Sequence, residues 1–176
     1  GNKYGFQGGI KSFDTFGIKQ FYVQVEGNIV RPYTYSHQSS LQNHGHFGQA
    51  LAHQLGANFQ EGIFLVRYRY KRWFFTSKSI LARYGSDTGD YNFGGDIYKS
   101  YEERKTYEED PDYRNTIAQG IENTVFHQEA KAAFILNTSL NLQAETGFMF
   151  RYHTQVAENK QYLYLFAGIR TLLYNH

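Results

Sequence analysis

The sequence predicts an all-β chain that forms about seven strands of an antiparallel, up-and-down transmembrane β-barrel. Three observations indicate this fold. Apolar and polar side chains alternate over long stretches, as in 140–153, where a period of two holds for about 14 residues. Aromatic residues reach 18%, while 17 glycines and two prolines favour turns over helix or disorder. Short turns also alternate with long loops along the chain, which is typical of outer-membrane barrels.

The clearest alternation lies in a hairpin formed by 126–136 and 140–152, with a short turn at 137–139. One face of this hairpin is apolar along its length and the other face carries charges. Folding about the turn predicts that Lys131 lies beside Glu145 on the charged face. The strands exceed the roughly 5–6 residues that are usual in soluble sheets, so the hairpin predicts part of the wall of a large barrel.

The other elements follow in order and differ mainly in the length of their connections. The last strand is apolar on both faces, so its inward face is not assigned. Long outer loops are predicted at about 31–56 and 85–123, and an intermediate link at 154–160. Short turns are predicted near 14–17, 71–73 and 137–139. The predicted strands cover about 4–11, 21–29, 61–70, 73–84, 126–136, 140–152 and 161–173.

This arrangement predicts an incomplete barrel. With the long loops outside the cell, the first strand starts at the outer edge and the seventh ends at the periplasmic edge. Bacterial barrels have an even number of strands and at least eight of them. Residues 1–176 are therefore predicted to be a single region, the C-terminal segment of a larger barrel. A soluble β-sheet protein is the alternative, because alternation alone does not distinguish an outward apolar face from an inward one.

Composition excludes several classes of function. The chain has no cysteine, so disulfides and thiolate chemistry are excluded. The 18 basic residues are scattered and balanced by 16 acidic ones, which gives no basis for nucleic-acid binding. No apolar run approaches the length of a transmembrane helix. No cofactor is predicted.

Two loop segments carry a resemblance to a known family. Residues 31–37, 43–53 and 55–59 read RPYTYSH, NHGHFGQALAH and LGANF, and residues 90–98 read DYNFGGDIY. These segments resemble the Wzi-like capsule-assembly proteins of Bacteroidetes, a group that includes RemB-type gliding-motility proteins. The similarity spans most of the chain, and the first motif is the more specific because it is long. Gln54 stands where the family has a proline.

The resemblance implies a non-enzymatic protein of the bacterial outer membrane. Its partners would be outer-membrane lipid, a surface polysaccharide such as capsule, and other proteins of the outer membrane or of a gliding or secretion assembly. The family proteins are several hundred residues long, so this chain corresponds to their last third. Capsule assembly and gliding motility both remain open, because the loops do not distinguish them.

Histidines and tyrosines of the first loop are candidate ligand residues. Imidazoles at short spacing ligate zinc or copper, but no acidic residue or cysteine lies nearby in sequence, so no metal is predicted. Hydrogen bonds within a packed loop are the simpler interpretation, and packing in the barrel mouth is favoured for the tyrosines. The candidates in this loop are Tyr33, Tyr35, His37, His44, His46 and His53.

The second loop adds a mixed-charge stretch with further candidates. Tyrosine rings stack on pyranose faces and carboxylates accept hydrogen bonds from sugar hydroxyls, so this stretch is a candidate sugar or protein contact. A solvated loop face is the alternative. The candidates here are Tyr101, Glu102, Arg104 and Tyr107.

Two further patterns are weak. Asp87, Asp90, Asn92 and Asp96 lie among glycines like a calcium loop, but their spacing is irregular and the glutamate of an EF-hand is absent, so a glycine-rich surface turn is the favoured interpretation. The adjacent Ser36 and His37 lack the third group and the oxyanion hole that a hydrolase needs, so no catalytic residue is predicted.

The polar faces of the strands supply a set of charges predicted to face the lumen. Such a set either lines an aqueous pore, which is the basis of the alternative function of a porin-like solute channel, or forms cross-strand salt pairs that fill the barrel. An open lumen with opposed rows of charge favours transport, whereas a lumen packed by the first loop favours binding. The charges are Glu26, Glu61, Arg67, Arg69, Glu129, Lys131, Glu145 and Arg151.

Overall fold

The computed structural model describes residues 2–39, 45–46, 49–50, 52–89, 91–102 and 114–171. Seven strands form one antiparallel sheet in which each strand pairs with the next long strand along the chain. A separate short hairpin, β3 with β4, lies in the first loop. The strands are β1 (Gly5–Ser12), β2 (Phe21–Val30), β3 (Gly45–His46), β4 (Gln49–Ala50), β5 (Phe59–Tyr70), β6 (Trp73–Ser86), β7 (Ile121–Asn137), β8 (Leu142–Gln155) and β9 (Glu158–Arg170).

The prediction of seven up-and-down antiparallel strands is confirmed. The sheet is open, with β1 and β9 as its two edges. A 3-10 turn at Thr15–Gly17 joins β1 to β2, and the backbone N–H of Gln20 donates to the Asp14 carboxylate in this connection. Within the described ranges, no helix has the length and apolarity needed to cross a membrane.

The predicted register of the long hairpin is wrong by two residues. Lys131 lies opposite Gly147 rather than Glu145, because a longer turn pairs Asn137 with Leu142 and a β-bulge between Ile135 and Asn137 takes back one residue of that displacement. The Asn137 side chain accepts hydrogen bonds from the backbone of the next residues, which lengthens the turn to 138–141. A shift of two residues leaves every side chain on its predicted face.

Strand boundaries differ from the prediction mainly near the loops. β5 begins two residues earlier than predicted, at Phe59, and β7 begins at Ile121, so the second long loop is 87–120. The link between β8 and β9 is only the two residues 156–157. We call the end of the sheet that carries 31–58 and 87–120 the loop end, and the opposite end the turn end.

The pairing registers divide the strand residues between two faces. The charged face contains all eight charges predicted to face the lumen, together with Lys11, Lys78, Glu158, Lys160 and Arg170. The apolar face contains residues such as Val25, Phe64 and Phe148. In the described strands, charge on the apolar face is confined to Arg83 and Glu122, which form an ion pair of 2.5 Å at the loop end.

Aromatic residues gather at both ends of the apolar face. At the turn end, Trp73 packs against Phe134 and Phe75 with ring centroids 4.8 and 6.0 Å apart. At the loop end, Phe126 packs against Phe150 at 6.5 Å. Mid-strand side chains between these groups are mostly aliphatic or small, so the apolar face has two aromatic bands with an apolar zone between them.

Candidate functional site

The first long loop folds back over the charged face at the loop end. Phe59 at the start of β5 is fully buried and forms a small core with Val30 and Ala57. Tyr35 and Leu55 pack against this core from the loop. Because Tyr35 is held in the core, its ring has a packing role.

Tyr33 joins the first loop to the second. Its backbone N–H donates to the Gly94 carbonyl at 2.9 Å, and its buried hydroxyl donates to the Asn92 carbonyl at 2.5 Å. Gly94 has a φ of +78°, and a Cβ there would lie 2.5 Å from the Tyr33 nitrogen. Only glycine fits this contact without displacing the tyrosine.

Asn58 is the central hydrogen-bonding residue of the loop end. Its side-chain amide donates to the carbonyls of Gln119 at 2.8 Å and Gly85 at 3.3 Å, and its side-chain oxygen accepts from the Gln119 N–H at 3.1 Å. The Gln119 side chain in turn donates to the Phe93 carbonyl. One buried asparagine therefore connects the start of β5, the end of β6 and the second loop.

His53 is held by packing and hydrogen bonds. Its ring stacks on Phe59 with centroids 4.4 Å apart, and its Nδ1 accepts the Leu55 N–H at 3.2 Å. The proton therefore sits on Nε2, which lies 3.1 Å from the Glu61 carboxylate. The described part of the chain contains no group of three histidine or acidic side chains that could hold a metal.

Glu61 belongs to an acidic pole on β2 and β5. Asn28 donates to both Glu61 and Glu26, and Gln7 and Gln24 donate to Glu26. His53 lies over Glu61, whose side chain is only 8% exposed. The acidic pole is thus both satisfied by amide donors and partly covered by the first loop.

Three of the predicted ligand residues meet at the rim between the loops. The His37 carbonyl accepts the Tyr101 N–H at 3.2 Å, and the Gln38 side chain donates to Glu102 at 2.6 Å. The Lys3 ammonium lies 4.1 Å from the Tyr101 ring centroid. Of the remaining candidates, His44, Arg104 and Tyr107 lie outside the described residues, and His46 is described only by its backbone in β3.

Asp87, Asn92 and Asp96, the described residues of the candidate calcium loop, accept hydrogen bonds from within the second loop. Asp87 accepts a hydrogen bond from the Phe93 N–H and another from the Lys99 ammonium, and this bond raises the pKa of Lys99. Asn92 and Asp96 each accept a backbone N–H two residues further on. Asp90 lies outside the described residues. These contacts are those of a hydrogen-bonded surface turn.

Ser36 is buried, and its hydroxyl has no hydrogen-bond partner within the described ranges. The pair formed with His37 therefore lacks the nucleophile–base hydrogen bond on which hydrolytic catalysis depends.

A groove that the sequence did not reveal lies on the charged face near the β9 edge. It has a volume of about 560 Å³. Arg151 faces Tyr162 across the strands, and Met149 faces Tyr164. The missed signal was the alternation of aromatic with aliphatic residues in β9. The groove is lined by His127, Met149, Arg151, His153, Lys160, Tyr162 and Tyr164.

The chain matches no known protein family, no curated protein and no solved structure.

Proposed function

We propose that this chain forms a sector of a β-barrel in the bacterial outer membrane and binds or assembles a surface polysaccharide without catalysing a reaction. The observation that carries the proposal is the separation of charge between the two faces. Over the described strands, the apolar face carries charge only at the Arg83–Glu122 pair near its loop end. A bilayer accepts such a face, since the hydrocarbon zone excludes charge and the interface tolerates it.

Large apolar side chains remain exposed on the apolar face, and this exposure favours contact with lipid over packing in a protein core. Val25, Phe64, Leu81 and Leu165 are all substantially exposed on this face. The loop contacts described above lie on the charged face instead. Strands of 12–17 residues from β5 to β9 exceed the roughly 9–11 needed to span a membrane. In water, an apolar surface of this extent would aggregate.

The hydrogen bonds that hold the two long loops in place support a binding function. The two long loops are joined to each other and to the sheet through Tyr33, Asn58 and Gln119, so they form a fixed rim. A fixed rim bearing Tyr101 and the Glu102 carboxylate can recognise a sugar with little loss of conformational entropy. The resemblance of these loops to capsule-assembly proteins supports the same role. A part in a gliding or secretion assembly would use the same barrel with a protein partner.

A porin-like channel is the second candidate, favoured by the opposed charges of the charged face. At the loop end, Glu26 and Glu61 lie on β2 and β5, whereas Arg151 and Lys160 lie on β8 and β9. Nearer the turn end, β5 carries Arg67 and Arg69 on the same face. Opposed rows of charge are a feature of selective pores. The cover that His53 provides over Glu61 weakens this candidate, because it withdraws one acidic side chain from a passing solute.

The test combines fractionation with binding. The intact protein should sediment with the outer membrane and require detergent for extraction, and the purified protein should bind oligosaccharides from the producing cell's surface. Recovery in the soluble fraction would refute the membrane assignment. In a liposome-swelling assay, rapid entry of small sugars together with absence of glycan binding would instead establish the channel.

A further inference from the structure

We propose that the groove near the β9 edge, here called the arginine–tyrosine groove, is a subsite for an acidic sugar of the uronate class. The groove comprises His127, Met149, Arg151, His153, Lys160, Tyr162 and Tyr164. This inference rests on the proposed function, because it names the chemistry of the polysaccharide that the protein would bind.

Arg151 is the anion-binding group of the groove. Within the described ranges, its guanidinium makes no hydrogen bond or ion pair, although it lies inside β8, four residues before the strand ends at Gln155. Three other arginines have polar partners: Arg83 binds Glu122, Arg170 lies 3.7 Å from Glu145, and Arg31 donates to a backbone carbonyl. Arg67 and Arg69, on the same face as Arg151, lie over the rings of Tyr22 and Phe74. A guanidinium has a planar set of donors that matches a carboxylate in two parallel hydrogen bonds.

Two tyrosines supply the surface on which a sugar ring can stack. Tyr162 and Tyr164 project from the same face of β9 and are 44% and 61% exposed. Residues two apart on a strand are separated by about 7 Å, so the two tyrosines form an apolar strip along the groove that Arg151 also lines. Such rings pack against the apolar face of a pyranose while their hydroxyls remain available to sugar hydroxyls. A simple inorganic anion would make no use of this strip.

The charges around the groove leave Arg151 as its unbalanced group. Lys160 is held by Glu158 at 2.9 Å, so this pair is locally neutral. Glu129 also faces this side, next to Met149, but it lies opposite Lys78 in register and two residues from Lys131. His153 is held by Asn123 at 2.8 Å. An incoming carboxylate therefore meets Arg151 as the cation without an assigned partner.

The experiment measures binding of galacturonate oligomers to the purified, detergent-solubilised protein by calorimetry, with dextran oligomers and inorganic phosphate as comparison probes. Wild-type protein should bind galacturonate oligomers, and affinity should fall when NaCl rises from about 0.05 M to about 0.5 M. Arg151→Gln should weaken binding on the order of tenfold or more. Tyr162→Ala should weaken it several-fold, while the control Arg67→Gln, on the same face but on β5, should remain within about twofold.

Each outcome is informative. Equal affinities of wild-type protein and Arg151→Gln for galacturonate oligomers would overturn the subsite. Arg151-dependent binding of phosphate without binding of galacturonate would also overturn it, since the tyrosines would then have no role. If the protein bound dextran alone, and Arg151→Gln bound it equally well, the preference for acidic sugars would be overturned. The proposed function of polysaccharide binding would still stand. Failure of the cell's own surface oligosaccharides and of all the probes to bind would refute both.

Discussion

Asn58 offers the sharpest test of how the loops are held over the charged face. Its side chain is fully buried and its backbone has a φ of 61°. Asparagine tolerates this left-handed conformation better than alanine does. Asn58→Ala would remove three hydrogen bonds, two to the carbonyls of Gly85 and Gln119 and one from the Gln119 N–H.

The stability lost in Asn58→Ala follows from the polar groups that would lose their hydrogen-bond partners. A buried polar group that loses its hydrogen bond costs about 1–3 kcal/mol. Gly85 is buried, whereas Gln119 is half-buried, so water can replace part of what Gln119 loses. The left-handed backbone adds about 1 kcal/mol for alanine. The expected loss is about 3–5 kcal/mol, and Asn58→Gly should lose about 1 kcal/mol less because it removes only the hydrogen bonds.

Amide hydrogen exchange and urea unfolding together provide the assay. The Gln119 and Gly85 amides should exchange roughly 100- to 4,000-fold faster in Asn58→Ala, because each 1.4 kcal/mol of local opening is about tenfold. Asn141→Ala is the matched control. Asn141 also has a positive φ, of 46°, but its side chain accepts a single hydrogen bond, from Gln143, in a turn.

If the two alanine variants lost stability to within about 1 kcal/mol of each other, the loss would come from backbone strain alone. The view of Asn58 as the residue that fixes the loops would then be refuted.

The remaining predictions concern the membrane face and the loops. Phe148→Arg should lower stability by about 2–4 kcal/mol in refolding into lipid vesicles, because it places a charge on the apolar face at mid-strand; unchanged refolding would reverse the face assignment. Gly94→Ala should free Tyr33 and raise protease sensitivity of the second loop, since the new Cβ would lie 2.7 Å from the ring; wild-type resistance would contradict this. The hydrogen bond to Asp87 raises the pKa of Lys99 above its ordinary 10.5. The stability that this interaction contributes is therefore fully present below pH 10.5 and is lost as the pH rises through the raised pKa of Lys99. Because the Lys99 side chain is 42% exposed, the stability lost at high pH, measured by thermal unfolding, should be below about 1 kcal/mol. Lys99→Met should show no such loss as the pH rises.

Strand number and facing could be read from the sequence because they depend on a local pattern. A period of two forces alternate side chains to opposite faces, whatever the neighbouring strand does. The exact register could not be read in the same way. It depends on the bulge after Ile135 and on the hydrogen bonds that Asn137 makes in the turn. An even shift leaves the facing pattern intact, so the sequence contains no sign of it.

The contacts of the candidate site lay beyond sequence reasoning because they join distant segments. Asn58 bonds residues 27 and 61 positions away, and no local spacing signals such contacts. The groove was missed for another reason. The last strand was judged by polarity, and tyrosine counts as apolar there, although Tyr162 and Tyr164 alternate with Leu163 and Leu165. Ring shape distinguishes the two faces of β9 within 162–165, and the charges of Glu158, Lys160 and Arg170 near its ends lie on the same face as the tyrosines.

The loops and the charges together determine which ligands could enter from the loop end. The first loop lies over the acidic pole, where His53 covers Glu61 and amide donors surround Glu26. Toward the β9 edge of the same face, the rings of Tyr162 and Tyr164 are exposed. At the loop end, the acidic side chains of the charged face are thus partly covered, while Arg151 and the two tyrosines are exposed. An anionic ligand is therefore favoured over a cationic one, although acidic residues are nearly as numerous as basic ones in the chain as a whole.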